Sequence, residues 1–306
     1  MQALLKNTPE NQTNSNADNI LSKFAHRLAV LQTVGISPPP EVNLLEYLDI
    51  WDQALHTANG IFKTVSSDEM PVSRAGEWML DNFYVIKQTF RQIEENLPTT
   101  FLNQLPTLDR TQMQGHPRIF GLAREWIKCI QSRLELTQTI TLIQDYQQIT
   151  PLTIGELWAF PSMLRIGVLE QLVYATAKLT GMDMPIVLKS ELESGPSSEI
   201  SNQFATPPIA NETIVTNCFL SLRLLSTTDW KTFFEQISLV EQVLCDDPAQ
   251  IYSNMDFNTR NTYRSVIEEL AHYSKFSEEQ VAIAAVECAR SVDKKTEGRK
   301  AHVGFY

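Results

Sequence analysis

The sequence predicts an all-α protein, a multi-helix bundle of about 9–12 helices in two packed subdomains. Apolar residues recur at spacings of three and four over most of the 306 residues, which is the period of an amphipathic helix. Ser/Thr-x-x-Glu/Gln capping signals precede several of these runs. Only 11 glycines accompany 15 prolines, too few for the many tight turns of a β-sandwich or propeller.

The first part of the chain predicts an ordered helical subdomain over residues 19–189. Residues 1–18 are rich in Asn, Gln and Thr, and we expect them to be disordered. A first helix is marked by Ile20, Phe24, Leu28 and Leu31. Two further helices carry apolar seams with the regularity that antiparallel neighbours need, namely Leu44, Leu48, Trp51, Leu55, Ala58 and Phe62, then Met79, Phe83, Ile86, Phe90, Ile93 and Leu97.

A polar stretch with several prolines predicts a linker at 190–211, which leaves a second helical subdomain at 212–306. Capping signals predict helix starts at Thr153, Asp229 and Ser277, the first and last as capping boxes with Glu156 and Gln280. We expect the helix after Asp229 to continue to the Asp-Asp-Pro sequence at 246–248.

Composition excludes several classes of function. Hydrophobic residues make up 43% and charged residues 20%, as in an ordinary globular protein. The net charge of −11 opposes nonspecific binding to nucleic acid or anionic lipid, so we expect no nucleic-acid partner. Neither GxGxxG nor GxxxxGK[ST] occurs, and we expect no cofactor.

Cysteine usage and the absence of long apolar stretches predict a cytoplasmic protein without a membrane span. The cysteines lie far apart in the sequence, without a CxxC pair, at Cys129, Cys218, Cys245 and Cys288. This spacing favours a reducing compartment over a disulfide scaffold. The five histidines show no metal-ligand spacing, so no metal site is expected.

Three groups of charged residues are candidates for a binding or catalytic role. Glu77 and Asp81, four residues apart on one helix, form a possible carboxylate pair for acid–base chemistry, but a solvated helix face explains them more simply. Glu156 and Arg165 lie in an apolar stretch and predict either a buried ion pair or a polar binding cluster. The capping role of Glu156 favours a structural interpretation.

The third group is Asp256, Arg260 and Arg264. The two arginines are one helical turn apart and could clamp an anion. A structural pairing of these arginines with Asp246, Asp247 or Asp256 is the favoured alternative. No GxSxG elbow, Cys–His motif or phosphate loop is present, so no residue is assigned a catalytic role.

Several strings, taken together and in order, resemble one family. They are EWMLDNF at 77–83, PLTIGELW at 151–158, SLRLL at 221–225 with DW at 229–230, the run from FFEQISLVE at 233–241 through DP at 247–248 to MDFNTR at 255–260 and YR at 263–264, and RKAHVGFY at 299–306. Over roughly residues 20–306 the chain resembles the N-terminal helical region of the bacterial cyclic β-1,2-glucan synthases.

The resemblance implies a role in glucan synthesis. Members of this family are large inner-membrane enzymes that use UDP-glucose, and their helical region precedes the membrane and glycosyltransferase modules. The chain would then be a non-catalytic cytoplasmic accessory region, present as a truncated or split chain. Its partners would be the transferase and membrane modules, in cis or as a split partner.

A stand-alone helical module that binds glucan or protein is the alternative. Glucan binding would need partly exposed indole rings at Trp78, Trp126, Trp158 and Trp230 to stack on sugar rings. Their positions on apolar stripes favour burial.

Overall fold

The structure is a computed structural model and describes residues 9–35, 43–67, 73–109, 113–184, 208–291 and 298–306. Its regular elements are helical, and the described residues contain no β-strand, only isolated bridges between Val34 and Leu108 and between Thr107 and Pro117. The prediction of an all-α, multi-helix protein is therefore confirmed. The described residues form twelve α-helices: α1 Pro9–Leu31, α2 Leu44–Ser67, α3 Arg74–Asn96, α4 Thr99–Leu102, α5 Arg118–Cys129, α6 Leu136–Gln147, α7 Ile154–Thr180, α8 Asn211–Thr227, α9 Trp230–Ile237, α10 Leu239–Cys245, α11 Phe257–His272 and α12 Glu278–Arg290.

The chain folds into two compact units. The first comprises residues 1–150 and 159–228, and the second comprises residues 151–158 and 229–306. The division falls inside α7 and again between α8 and α9. Of the linker predicted at 190–211, residues 190–207 lie outside the described residues, and Asn211 begins α8. The predicted subdomain limits stay a prediction.

In the first unit α2 packs against α3, and α3 also packs against α8. The predicted seam of α2 is buried along its whole length, and so is that of α3 except for Phe83, which is half-buried. These seams keep a helical period over several turns, and the helices can therefore bury a shared stripe.

The first helix begins earlier than predicted and ends at Leu31, the last residue of the predicted face. It begins at Pro9, so helical backbone extends into the segment 1–18 for which disorder is predicted. Residues 1–8 lie outside the described residues. Phe24 and Leu28 are buried as expected, but Ile20 and Leu31 are exposed.

In the second unit α10 and α11 each pack against α12. The predicted caps are confirmed: the Asp229 carboxylate accepts from the amides of Lys231 and Thr232, and Ser277 and Gln280 form a reciprocal capping box. The single helix predicted after Asp229 is wrong. Ser238 is extended, and its hydroxyl accepts from the amide of Glu241, so one helix ends and another begins there.

Within the described ranges, no helix combines the length and the hydropathy needed to cross a membrane.

Candidate functional site

The two carboxylates predicted as an acid–base pair are exposed on α3. Glu77 lies in the first turn of this helix, whose N-terminus is capped by the Ser73 hydroxyl, and Asp81 lies one turn further on. A groove of about 330 Å³ lies between α2 and α3, but neither carboxylate lines it. This groove therefore does not place a substrate between the carboxylates of Glu77 and Asp81.

Arg165 lies inside the first unit and holds the end of a helix. Its Nη2 donates to the carbonyl oxygen of Leu225, in the last turn of α8, at 2.9 Å. Burial lowers the pKa of Arg165 to about 10. A guanidinium at the C-terminal end of a helix satisfies a carbonyl that has no intrahelical donor and complements the helix dipole.

Glu156 is buried in the first turn of α7, where it completes the predicted capping box. Its Oε2 accepts from the Thr153 amide at 2.9 Å, and its own amide donates to Thr153 Oγ1 at 3.2 Å. A second carboxylate joins it, since Glu278 Oε2 accepts from the amide of Ile154 at 2.7 Å. Glu156 and Arg165 thus serve the ends of two different helices.

Glu278 has a pKa raised to about 7. Burial is the largest cause, the hydrogen bond from Ile154 acts in the opposite direction, and the charges of Glu268 and Glu156 add to the rise. The first turn of α7 is therefore capped by a carboxylate that changes charge near neutral pH.

The third candidate group forms what we call the arginine–glutamate cluster, composed of Glu235, Glu241, Tyr252, Arg260 and Arg264. Arg264 Nη1 contacts Glu241 Oε2 at 2.5 Å, and the Tyr252 hydroxyl donates to the same oxygen at 2.6 Å. Arg260 bridges two carboxylates, with Nη2 at 2.6 Å from Glu235 Oε1 and Nη1 hydrogen-bonded to Glu241. Arg264 is fully buried, whereas Arg260 and Glu235 reach the surface.

Aromatic rings enclose the buried guanidinium. The Cζ atom of Arg264 lies 5.1 Å from the centre of the Phe234 ring and 4.7 Å from that of Phe257. Trp158 stacks on Phe234 with 4.5 Å between ring centres. These cation–π contacts surround a group that has lost its water, and they join α9 to α11.

The aspartates expected to meet these arginines have other partners, so that expectation is wrong. Asp256 caps α11, accepting from the amides of Asn258 and Thr259. Asp247 accepts from the amides of Ile251 and Val303 and contacts His302 Nδ1 at 2.9 Å. Burial alone would raise the pKa of Asp247, but these hydrogen bonds lower it.

The cluster balances two arginines with two glutamates, so it holds little net charge to attract an anion. A buried pair of this kind instead fixes the relative position of the helices that carry it. Glu235 lies on α9, Glu241 on α10 and both arginines on α11. The arginine–glutamate cluster therefore links α9, α10 and α11 through ion pairs.

No protein-family model matches the chain. One curated protein is similar to it, the cyclic beta-(1,2)-glucan synthase NdvB of Rhizobium meliloti (strain 1021), with 26% identity over 275 residues. The alignment covers 71% of this chain. The chain is related to this cyclic β-(1,2)-glucan synthase. The resemblance predicted from the sequence is confirmed, and the alignment covers 10% of the synthase's length.

The strings that resemble the glucan synthases coincide with structural features of this chain. The run at 233–264 contains every member of the arginine–glutamate cluster, and PLTIGELW at 151–158 contains the capping box of α7.

The sequence did not single out a second buried ion pair, in the first unit. Arg124 on α5 and Glu170 on α7 form a bidentate pair, with both oxygens of Glu170 at 2.9 Å from Arg124 Nε and one of them at 2.6 Å from Nη2. Burial alone would raise the pKa of Glu170, but the charges of Arg124 and Lys128 and the hydrogen bonds of Arg124 lower it. In the sequence, Glu170 and Glu241 each lie among apolar residues of a helical stretch, and this pattern could have predicted that each carboxylate is buried and paired.

Among the described residues no three His, Cys, Asp or Glu side chains are grouped so that they could hold a metal ion.

Proposed function

We propose that this chain is a non-catalytic helical accessory region of a cyclic β-(1,2)-glucan synthase and docks against the transferase and membrane modules of that enzyme, in the same polypeptide or as a separate chain. It would work at the cytoplasmic face of the inner membrane, while the modules convert UDP-glucose to glucan. The observation that carries the proposal is the sequence similarity to the Rhizobium meliloti synthase, in which the alignment covers 10% of the length of that enzyme.

The placement of the charged residues supports a structural role. Glu156, Arg165 and Asp256 each satisfy backbone groups at a helix end, and Arg260 and Arg264 are neutralised by glutamates. Glu77 and Asp81 are exposed, and neither lines the groove between α2 and α3. These groups stabilise helices, which is the requirement for a rigid docking module.

The tryptophans favour docking over sugar binding. Trp126 is buried and donates to Thr139 Oγ1 at 3.1 Å. Trp78, Trp158 and Trp230 are half-buried, and each has a ring contact with a phenylalanine. A sugar platform needs an open aromatic face, and these rings are already engaged in packing.

A chimera tests the docking role. The region of the Rhizobium meliloti synthase that aligns with this chain is deleted, or replaced by this chain, in a strain without its own synthase. Incorporation of labelled glucose from UDP-glucose into cyclic glucan is then measured in membranes. We expect the deletion to abolish synthesis and the chimera to restore it. Failure of a chimera that reaches the membrane in normal amount would contradict the proposal.

The non-catalytic part has its own test. The purified chain is incubated with UDP-glucose, and UDP release is followed with a coupled assay. We expect release no faster than in buffer. A release rate that falls when Glu77 or Asp81 is replaced by Ala would show that the chain is itself an enzyme.

A further inference from the structure

Helix α11 carries a second apolar stripe that faces away from the core. Its buried face holds Arg264 and Ile267. On the outward side four large apolar side chains are exposed, Val266 by 48%, Leu270 by 47%, Tyr273 by 81% and Phe276 by 64%. We call these four residues the α11 stripe.

The spacing of these residues makes the stripe continuous. Leu270 follows Val266 by four residues and Tyr273 follows Leu270 by three, so their side chains lie above one another on one side of the helix. Tyr273 is the C-cap residue of α11, and Phe276 lies in the turn that follows. Apolar side chains exposed singly are common, but a row of four at the end of a helix is typical of a binding surface.

The charges next to the stripe are mainly negative. Between residues 265 and 290 the glutamates at 268, 269, 279 and 287 have exposed or half-buried side chains, against Lys275 and Arg290, whereas Glu278 accepts from the Ile154 amide. Arg290 contacts Asp246 at 3.5 Å, which leaves Lys275 as the cation closest in sequence to the stripe. In this stretch of the chain the glutamates therefore outnumber the cations, and Lys275 lies between Tyr273 and Phe276.

We propose that the α11 stripe binds a cationic amphipathic helix of a protein partner. A helix with leucines on one side and lysines or arginines beside them would bury the stripe and meet the glutamates. A second copy of this chain would bring the same glutamates into contact, and an anionic membrane would be repelled by them. The inference rests on the docking function proposed above, because it assigns that helix to the remainder of the glucan synthase.

The test uses the full chain and a defined probe. The probe is a fluorescein-labelled amphipathic helical peptide of Leu and Lys, and its binding is measured by fluorescence anisotropy. The variant Leu270→Ser/Tyr273→Ser is compared with a matched control, Tyr84→Ser/Leu220→Ser, which removes two exposed apolar side chains from α3 and α8. We expect the stripe variant to bind about tenfold more weakly, which corresponds to about 1.4 kcal/mol, and the control to bind like the wild type. Circular dichroism verifies that both variants are folded.

Equal binding by the stripe variant and the control would overturn the proposal, because the peptide would then recognise only the overall negative charge. The proposal would also fail if the stripe variant abolished self-association, or binding to phosphatidylglycerol vesicles, that the wild-type chain shows. The same substitutions in the chimera separate the two proposals. Normal glucan synthesis by the substituted chimera would contradict the stripe alone, whereas an inactive unsubstituted chimera would contradict the docking function and leave the peptide result standing.

Discussion

The Arg264 guanidinium and the Glu241 carboxylate form an ion pair that is closed to solvent, with 2.5 Å between Nη1 and Oε2. The two residues are 23 positions apart in the sequence, on α11 and α10. Because each charge has lost its water, each depends on the other for compensation. The pair therefore links the stability of the two helices.

Removal of Glu241 leaves the Arg264 charge buried without its closest partner. We expect Glu241→Ala to destabilise the second unit by about 3–5 kcal/mol. Hydrogen exchange of the α11 amides, measured by mass spectrometry, reports this loss locally. The matched control is Asp246→Ala, which breaks the exposed pair with Arg290 and should cost about 0–1 kcal/mol. Equal protection of α11 in the two variants would show that the buried pair contributes nothing.

The Glu278 carboxyl should make stability depend on pH. Its pKa is raised from an ordinary 4.5 to about 7 in the folded chain. Between these values the folded state holds a proton that the unfolded state has lost, so stability falls as pH rises through this window and levels off above it.

We expect Glu278→Gln to remove the fall in folding stability that the Glu278 carboxyl causes as pH rises. A glutamine oxygen still accepts from the Ile154 amide but carries no charge. The measurement is urea unfolding followed by circular dichroism between about pH 5 and about pH 8. Glu279→Gln removes a charge from the next residue of the same turn and should leave the decline in place. If the Glu278→Gln profile runs parallel to that of the wild type, the cap does not titrate in this range.

The thiols should react in a definite order. Burial raises the pKa of Cys129 and of Cys218 to about 12, whereas Cys245 and Cys288 are exposed. Burial and the charge of Glu241 also raise the pKa of Cys245, and a thiol that is less ionised reacts more slowly. With a disulfide reagent near pH 8 we expect Cys288 to react first and Cys245 next, while Cys129 and Cys218 react only after denaturation. A fast phase that survives Cys288→Ser at full amplitude would contradict this order.

The capping carboxylate of α7 should matter more than the exposed carboxylates of α3. Glu156→Ala leaves the Thr153 amide without its acceptor at a buried helix start, and we expect a loss of about 1–3 kcal/mol. Glu77→Ala and Asp81→Ala change solvated positions and should stay within about 0.5 kcal/mol of the wild type. Thermal unfolding compares the three variants directly. A larger loss for either α3 variant would indicate a contact that those carboxylates make in the folded chain.

Features that depend on a few neighbouring residues could be predicted from the sequence. The capping boxes at Thr153 and Ser277 are confirmed because each of two side chains three residues apart accepts from the backbone amide of the other residue within one turn. The break at Ser238 was missed, although the signal is equally local, because the apolar period continues through it from Phe233 to Leu244. At Ser238 the side-chain cap begins a new helix although the apolar period continues through this residue.

The sequence by itself determined the helical class, the capped helix starts at Thr153, Asp229 and Ser277, and the relation to the glucan synthases, since these follow from periodicity, capping and ordered strings. Tertiary structure decided which charges meet. Glu241 rather than Asp247 reaches Arg264, and Glu278 reaches the first turn of α7 across 124 positions of sequence. Side-chain spacing fixes a neighbour one turn away, but only the packing of helices brings distant carboxylates and donors within hydrogen-bond distance. For the same reason only the structure shows that Val266 and Leu270 remain exposed while Ile267, beside them in the sequence, is buried.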